Sequence, residues 1–136
     1  MKEMLDKILQ LEEGLIQEEQ IMLDVQHDFA PGIYARTLFI PAGTLLTGKI
    51  HRKELMNILV SGTLHITYGD ETEVMDSPKV FNSYKGSKKA IYAETDAVLM
   101  NIHPTELDDL DEIEDEFIAP SYEALEADTK AALEMK

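Results

Sequence analysis

The side chains that could do chemistry in this chain are concentrated between Arg36 and Lys89. Eight basic and five acidic residues lie in that stretch, so it carries a net charge of +3, whereas the whole chain of 136 residues carries −15. Lys49 and His51 are two residues apart, a spacing that puts both side chains on the same face of a β-strand. Together with Lys89 they suit a carboxylate or phosphate group. The stretch predicts a small anion-binding site; the open alternative is that the lysines extend into solvent and bind nothing.

Further side chains are predicted to complete this ligand-binding site. By strand parity, the side chain of Asn57 could point to the same side as those of Lys49 and His51. Tyr92 or Tyr34 could stack on a planar ring of the ligand, and Arg36 belongs to the same basic stretch. Protonation of His51 would strengthen anion binding as the pH falls through about 6.5. The predicted ligand-binding residues are Lys49, His51, Asn57, Lys89, Tyr92 and Arg36.

Composition argues against several other functions. The absence of cysteine excludes disulfides, thiolate chemistry and cysteine-based zinc sites, and it fits a reducing compartment. The charge of −15 argues against nucleic-acid binding, because phosphate contacts need clustered Lys and Arg. No apolar run is long enough to span a bilayer, and the acidic N-terminus is unlike a secretory signal, so the expected location is the cytoplasm. No nucleophile elbow, P-loop or dinucleotide glycine motif occurs, so an enzyme is not the predicted class.

The elements that must position these residues are mostly short strands. Eight segments rich in β-branched and aromatic residues alternate with turn residues, the pattern of an antiparallel sandwich or small barrel. An amphipathic helix is predicted before them and acidic helices after them, with Thr105 and Ser121 as N-caps. The predicted division is an N-terminal helix over 1–25, a β-barrel over 26–104 and an acidic helical tail over 105–136. A turn is predicted at 27–32, and strands at 33–40, 44–51, 56–60, 63–68, 72–75, 80–84, 90–93 and 98–103.

Residues 43–93 resemble the two-part signature of the cupin superfamily. The first motif is glycine, five residues, His-x-His, three or four residues, Glu, six residues and glycine. Here every interval fits, but Lys49 replaces the first His and Leu55 replaces the Glu, so His51 is the only ligand retained. In the second motif, Lys89 stands at the position of the His. The fitted positions are Gly43, Lys49, His51, Leu55 and Gly62 in the first motif, and Pro78, Tyr84, Gly86, Lys89 and Ala93 in the second.

Two further stretches resemble small cupin-like proteins of tailed bacteriophages. One is the run 34–51, and the other is the ending 102–105 with the acidic residues and the segment 118–121 that follow it. The resemblance implies an all-β cupin barrel, a double-stranded β-helix or jelly roll, with Lys49 and His51 facing its interior. Because three of the four ligand positions are replaced, neither a metal nor another cofactor is expected. His51 is then a hydrogen-bonded pocket histidine rather than a ligand.

The sequence therefore predicts a non-enzymatic, phage-encoded cupin-like protein that binds a small anionic molecule, such as a host metabolite or nucleotide signal. Two alternatives stay open. One is an acidic interaction protein whose tail binds a host or virion protein; the other is a metal-dependent cupin enzyme with a degenerate ligand set. A homodimer or larger homo-oligomer is expected, because the apolar stripe of residues 1–23 must pack against the barrel wall or a second subunit. Neither nucleic acid nor a membrane is an expected partner.

Overall fold

The computed structural model describes residues 23–68 and 70–134, which form eleven strands and two helices. The all-β prediction is confirmed. The elements are β1 (Asp24–Ala30), β2 (Ile33–Ile40), β3 (Leu45–Thr47), β4 (Ile50–His51), β5 (Leu55–Ser61), β6 (Thr63–Tyr68), β7 (Glu71–Asp76), β8 (Lys79–Ser83), β9 (Ala90–Ala93), β10 (Ala97–Pro104), α1 (Leu110–Phe117), β11 (Ile118–Ala119) and α2 (Tyr122–Glu134).

Two antiparallel sheets face each other and enclose the main core. The first has the strand order β1-β2-β10-β5-β8, the second has the order β3-β9-β6-β7, and β11 pairs separately with β4. Strand alternation turns one face of each sheet inward, where the apolar side chains interdigitate. Both sheets contribute to the main core, the first through Leu38, Ile40, Leu59, Ala97 and Leu99 and the second through Leu64, Ile66, Met75, Ile91 and Ala93.

A glycine makes the tight connection between β5 and β6. Gly62 has a φ of +92°, and a Cβ at this position would lie 2.3 Å from the carbonyl oxygen of Asp96. Positive φ is strained for other residues, and the neighbouring backbone leaves no room for a side chain. The final glycine of the first motif is therefore required by the geometry of the turn.

The N-terminal part of the described chain differs from the prediction. Residues 1–22 of the helix predicted over 1–25 lie outside the described residues, and β1 begins at Asp24. The turn predicted over 27–32 is reduced to Pro31 and Gly32, since β1 pairs with β2 as far as Ala30 opposite Ile33. A proline followed by a glycine of positive φ, here +78°, is the combination that a type II turn uses. β1 was not predicted as a strand because its residues are mostly polar. It is an edge strand, and most of its side chains are exposed.

The strand predicted over 44–51 is two short strands. β3 pairs with β9, whereas β4 pairs with β11. Between them the Gly48 N–H donates to the carbonyl oxygen of Lys89 at 2.8 Å. Because Lys49 lies between the two strands and outside both, strand alternation does not relate its side chain to that of His51.

The C-terminal helices close one end of the barrel. Ile113 and Phe117 of α1 pack against Tyr34 and Leu55, and we call these four residues the cap cluster. In α2, Leu125 packs against Ile50 and Ala119. Within the described part of the chain, neither helix is long and apolar enough to cross a membrane.

One predicted helix cap is wrong and the other is confirmed. The carboxylate of Asp109 caps α1, accepting a hydrogen bond from the Glu112 N–H at 3.0 Å. Thr105 lies in the preceding loop, where its hydroxyl accepts from the Leu107 N–H at 3.1 Å. Ser121 accepts from the Ala124 N–H at 3.1 Å and so begins α2 as predicted. Asp is a strong N-cap because its oxygen satisfies a free N–H and its charge suits the helix dipole.

Candidate functional site

A layer of polar side chains crosses the barrel interior between the main core and the cap cluster. Arg36, Asn101 and Asn57 form one row across β2, β10 and β5, because Asn101 is paired with both of the others. On both β2 and β5, the next inward-facing residue on one side of this row belongs to the main core. The next inward-facing residue on the other side belongs to the cap cluster. We use the name polar layer for Arg36, His51, Asn57, Ser83, Lys89 and Asn101.

Hydrogen bonds connect four members of the polar layer in series. The side-chain amide of Asn101 donates to Asn57 Oδ1 at 2.7 Å. The amide of Asn57 donates to Ser83 Oγ at 2.8 Å and to the carbonyl oxygen of Phe81 at 3.3 Å. The ammonium of Lys89 donates to the same Ser83 oxygen. Asn57 and Ser83 are essentially fully buried, so these bonds fix the side chains in one arrangement.

Lys89 is a buried cation with neutral neighbours. Its side chain is 6% exposed, and its Nζ lies 5.1 Å from the centre of the Phe81 ring. No ion pair to Lys89 is found among residues 23–68 and 70–134. Burial lowers the pKa of Lys89 from 10.5 to about 8, so the amine is still mostly protonated near pH 7. A buried charge without a counter-ion is costly, and this cost is the most unusual electrostatic feature of the barrel.

The imidazole of His51 lies close to Lys89, and the imidazole of His103 lies close to His51. Burial, followed by the positive charges of Lys89 and His103, lowers the pKa of His51 to about 4. The pKa of His103 is also lowered, mainly by burial, although a hydrogen bond to the backbone of Tyr34 acts in the opposite direction. The Nδ1 atoms of both rings are buried and lack a hydrogen-bond partner. Both histidines are therefore uncharged near pH 7 and have hydrogen-bonding capacity to spare.

The structure places two of the predicted site residues elsewhere. Lys49 was expected inside the barrel with His51, but its side chain is 63% exposed and forms an ion pair with Glu114 of α1. Tyr92 is 42% exposed and packs edge-on against His65, 5.7 Å away on the outer face of the four-stranded sheet. Tyr92 is three residues from Lys89, and an odd separation puts two residues on opposite faces of a strand. Arg36, His51, Asn57 and Lys89 are the predicted residues that the structure brings together.

Three residues of this region were missed by the sequence argument. Ser83 lies within the predicted strand 80–84 but was not assigned to the site; it ends β8 and has no exposed surface. Asn101 and His103 lie outside the cupin motifs. The signal that could have found them is strand parity, because both share the inward face of β10 with Leu99. The pairing of Asn101 with Arg36 and Asn57 depends on the register between strands that are distant in the chain. A single sequence does not specify that register.

The polar layer contains one imidazole, that of His51, and no converging set of metal ligands among the described residues. Within the described ranges, no group of three or more His, Cys, Asp or Glu side chains converges on a point where a metal ion could bind. Leu55, at the position of the cupin Glu, is buried in the cap cluster. The expectation of no resident metal remains a prediction, and the chemistry that this layer can offer is recognition of an acceptor-rich group.

A separate cleft of about 510 Å³ lies at the surface beside both helices. It contains none of the residues of the polar layer. Its charges are partly neutralised within it, since Arg52 lies 3.5 Å from Asp128 and Lys53 lies 3.8 Å from Glu116. It is therefore a weaker candidate for anion binding than Lys89. The residues that line it are Arg52, Lys53, Lys85, Glu112, Asp115, Glu116 and Asp128.

Comparison with known proteins identifies the fold. No protein-family model and no curated sequence matches this chain. Solved cupin structures do. A cupin-2 domain containing protein from Shewanella frigidimarina NCIMB 400 has a TM-score of 0.52 at 14% identity, covering 75% of this chain and 99% of that chain. KdgF from Halomonas sp. has a TM-score of 0.54 at 13% identity, covering 64% of this chain and 84% of that chain.

The same fold occurs in proteins of different function. An acetylacetone dioxygenase from Acinetobacter johnsonii matches with a TM-score of 0.51 at 13% identity, covering 64% of each chain. The cupin domain of Cnp3 from Schizosaccharomyces pombe matches with a TM-score of 0.53 at 21% identity, covering 67% of this chain and 71% of that chain. The chain therefore has an all-β cupin fold, and its function has to be argued from its own side chains.

Proposed function

We propose that the polar layer binds a small anion and that the protein acts as a binding protein rather than an enzyme. The observation that carries the proposal is the buried ammonium of Lys89, whose hydrogen-bond partner is the neutral Ser83. A carboxylate or phosphate group beside Lys89 would supply the missing negative charge in a site of low dielectric, where such an interaction is strong.

The remaining hydrogen-bonding capacity of the layer also favours an anion. Asn57 uses its carbonyl oxygen for Asn101 and its amide for Ser83 and Phe81. Lys89 has two further N–H groups, and Ser83, which accepts twice, still has its own proton to donate. The free groups of Lys89 and Ser83 are donors, so a ligand that contacts these two residues is rich in acceptors.

The finer parts of this proposal concern biological context. The resemblance to bacteriophage proteins supports a phage-encoded protein acting in the cytoplasm of the host cell. A small anion in that setting would be a host metabolite or nucleotide signal, and binding would sequester it. The net charge of −15 supports the exclusion of nucleic acid as a partner.

Anion binding should depend on Lys89 and not on Lys49. We expect Lys89→Met to weaken binding by roughly ten- to a hundredfold, because a charge-assisted hydrogen bond contributes ~1.5–3 kcal/mol. Lys49→Ala is the matched control, since its amine is exposed and already paired with Glu114. The measurement is a thermal-shift screen of dicarboxylates, sugar phosphates and nucleotides, followed by calorimetric titration of the hits. If no anion stabilises the wild type, or if every hit stabilises Lys89→Met equally, the acidic interaction protein becomes the better interpretation.

The pH profile of binding should follow Lys89 rather than His51. With the pKa of His51 at about 4, the rise in affinity expected near pH 6.5 from the sequence should be absent, and affinity should be flat from pH 5 to pH 7. It should fall as the pH rises through about 8, where the free Lys89 amine loses its proton. A sulfate or sulfonate analogue of a hit is the right probe, because its charge is constant over this range, whereas a dicarboxylate and a phosphate monoester each take up a proton between pH 7 and pH 5. Affinity that instead doubles or more between pH 7 and pH 6 would assign the titration to a histidine.

A further inference from the structure

Arg36 is a second cation of the polar layer without a carboxylate paired to it. Its side chain points into the barrel, because on β2 it lies between Tyr34 of the cap cluster and Leu38 of the main core in the inward-facing series. No ion pair to Arg36 is found within the described part of the chain. Its charge reaches Glu114, but the pKa of that carboxyl is lowered mainly by the hydrogen bond and the charge of Lys49, its partner. The guanidinium of Arg36 is therefore available for a ligand.

Arg36 and Lys89 lie at opposite ends of the polar layer. Arg36 is on β2, whereas the Lys89 ammonium contacts Ser83 on β8, and β10 and β5 lie between these two strands. Three strand spacings are about 14 Å, and the side chains and their hydrogen bonds take up at least half of this distance. Roughly 4–7 Å is left between two acidic groups that contact both cations, which is the separation across a chain of about four to six carbons.

Two neutral imidazoles are neighbours of these cations. Burial is the largest cause of the lowered pKa of both His51 and His103. At His51, smaller contributions come from the charges of Lys89 and His103. At His103, a smaller contribution comes from the charge of Arg36. The two rings therefore form a series with the cations, and each has a buried Nδ1 without a hydrogen-bond partner among the described residues. A hydroxyl group suits such a nitrogen in either tautomer, because it can both donate and accept.

We propose, building on the anion binding proposed above, that the ligand is a hydroxylated dicarboxylate with one carboxylate at Lys89 and the other at Arg36. A carboxylate carries a single charge and so matches one cation at each end, whereas a phosphate monoester carries nearly two charges. The planar guanidinium of Arg36 can hold a carboxylate through two parallel N–H bonds. Arg36 is only partly buried, and its neighbour His27 on the edge strand β1 is exposed, so the second carboxylate keeps some of its water. The hydroxyl groups of the ligand would face the imidazoles of His51 and His103.

The test is calorimetric titration at pH 7 with two matched pairs of hydroxylated acids. Tartrate is paired with threonate and glucarate with gluconate, so that each pair has one chain length but two carboxylates against one. We expect the wild type to bind the better dicarboxylate about tenfold more tightly than its partner, because a second charge-assisted contact is made. Arg36→Gln should remove this advantage by weakening the dicarboxylate about tenfold and the monocarboxylate much less, whereas Lys89→Met should weaken both. Lys79→Gln, which removes an exposed cation on β8, is the matched control and should leave both affinities as in the wild type.

The histidine ring protons of the wild type give a second measurement that needs no substitution. In an NMR titration the dicarboxylate should shift the ring protons of both His51 and His103. The monocarboxylate should shift mainly those of His51, because His51 is the neighbour of Lys89. Equal affinities within both pairs, binding of other anions but of neither dicarboxylate, or an equal loss for both members of a pair in Arg36→Gln would overturn the dicarboxylate and leave anion binding at Lys89 standing. If no anion binds at all, the proposed function fails together with the dicarboxylate.

Discussion

Replacing Lys89 with methionine should stabilise the ligand-free protein at pH 7. The fall in the pKa of Lys89 from 10.5 to about 8 means that the fold holds the charged amine at a cost of roughly 3 kcal/mol, at about 1.4 kcal/mol for each pH unit. Methionine removes this cost and keeps most of the apolar stem. The lost hydrogen bond to Ser83 offsets about 1 kcal/mol, and Ser83 still accepts from Asn57. We expect a net gain of roughly 1–3 kcal/mol in the free energy of unfolding, measured by urea denaturation.

The pH dependence gives this prediction its sign. Below pH 8 the amine is protonated in both the folded and the unfolded chain, so the full cost is present in the wild type. Between about 8 and 10.5 the folded protein loses the proton while the unfolded chain keeps it, so the wild type gains stability relative to Lys89→Met as the pH rises. Lys79→Met, which removes an exposed charge, controls for the change in net charge. A loss of stability in Lys89→Met at pH 7 would show that the ammonium has a counter-charge in the native protein.

Truncation of Phe117 to alanine should have the largest destabilising effect. Its ring is 1% exposed, belongs to the cap cluster and contacts the ring of His103 at 4.7 Å between centres. Burial of this kind makes a Phe→Ala change cost about 3–5 kcal/mol. The pKa of His103 should also rise towards its ordinary value, because burial is the main reason that it is low. Urea denaturation and an NMR titration of the histidine ring protons measure the two effects.

Leu110→Ala on the same helix is the control that distinguishes the packing of Phe117 from a general effect of truncating a side chain on α1. Leu110 is 43% exposed, so its truncation should cost less than about 1 kcal/mol and leave His103 unchanged. If Phe117→Ala behaves like Leu110→Ala in both measurements, α1 does not seal the barrel. Loss of stability without a change in the pKa of His103 would count against the view that Phe117 keeps water from His103.

Local patterns in the sequence were sufficient to locate most strands. β2, β6 and β9 have the predicted bounds, because their β-branched and aromatic residues are bounded by turn residues. β1 was missed, since an edge strand with polar side chains carries little periodic signal. The cap of α1 was misplaced because Thr105 and Asp109 are both suitable residues, and tertiary packing of Phe117 decides between them.

The sequence predicted only part of the candidate site, because the rest depends on the register between strands. Motif spacing identified His51 and Lys89, and parity identified Asn57. Ser83 and Asn101 join them through pairing between strands that are distant in the chain, which periodicity does not report. Lys49 was misassigned because it lies between β3 and β4, outside both strands, where strand alternation does not apply.

The position of the polar layer between two apolar clusters has a kinetic consequence. A molecule bound there is separated from solvent by the main core on one side and by α1 on the other. Escape past α1 then requires a local opening of that helix, and the residence time should depend on the frequency of the opening as well as on the strength of the contacts. Variants that loosen α1 would then exchange ligand faster, even where the equilibrium affinity changes little.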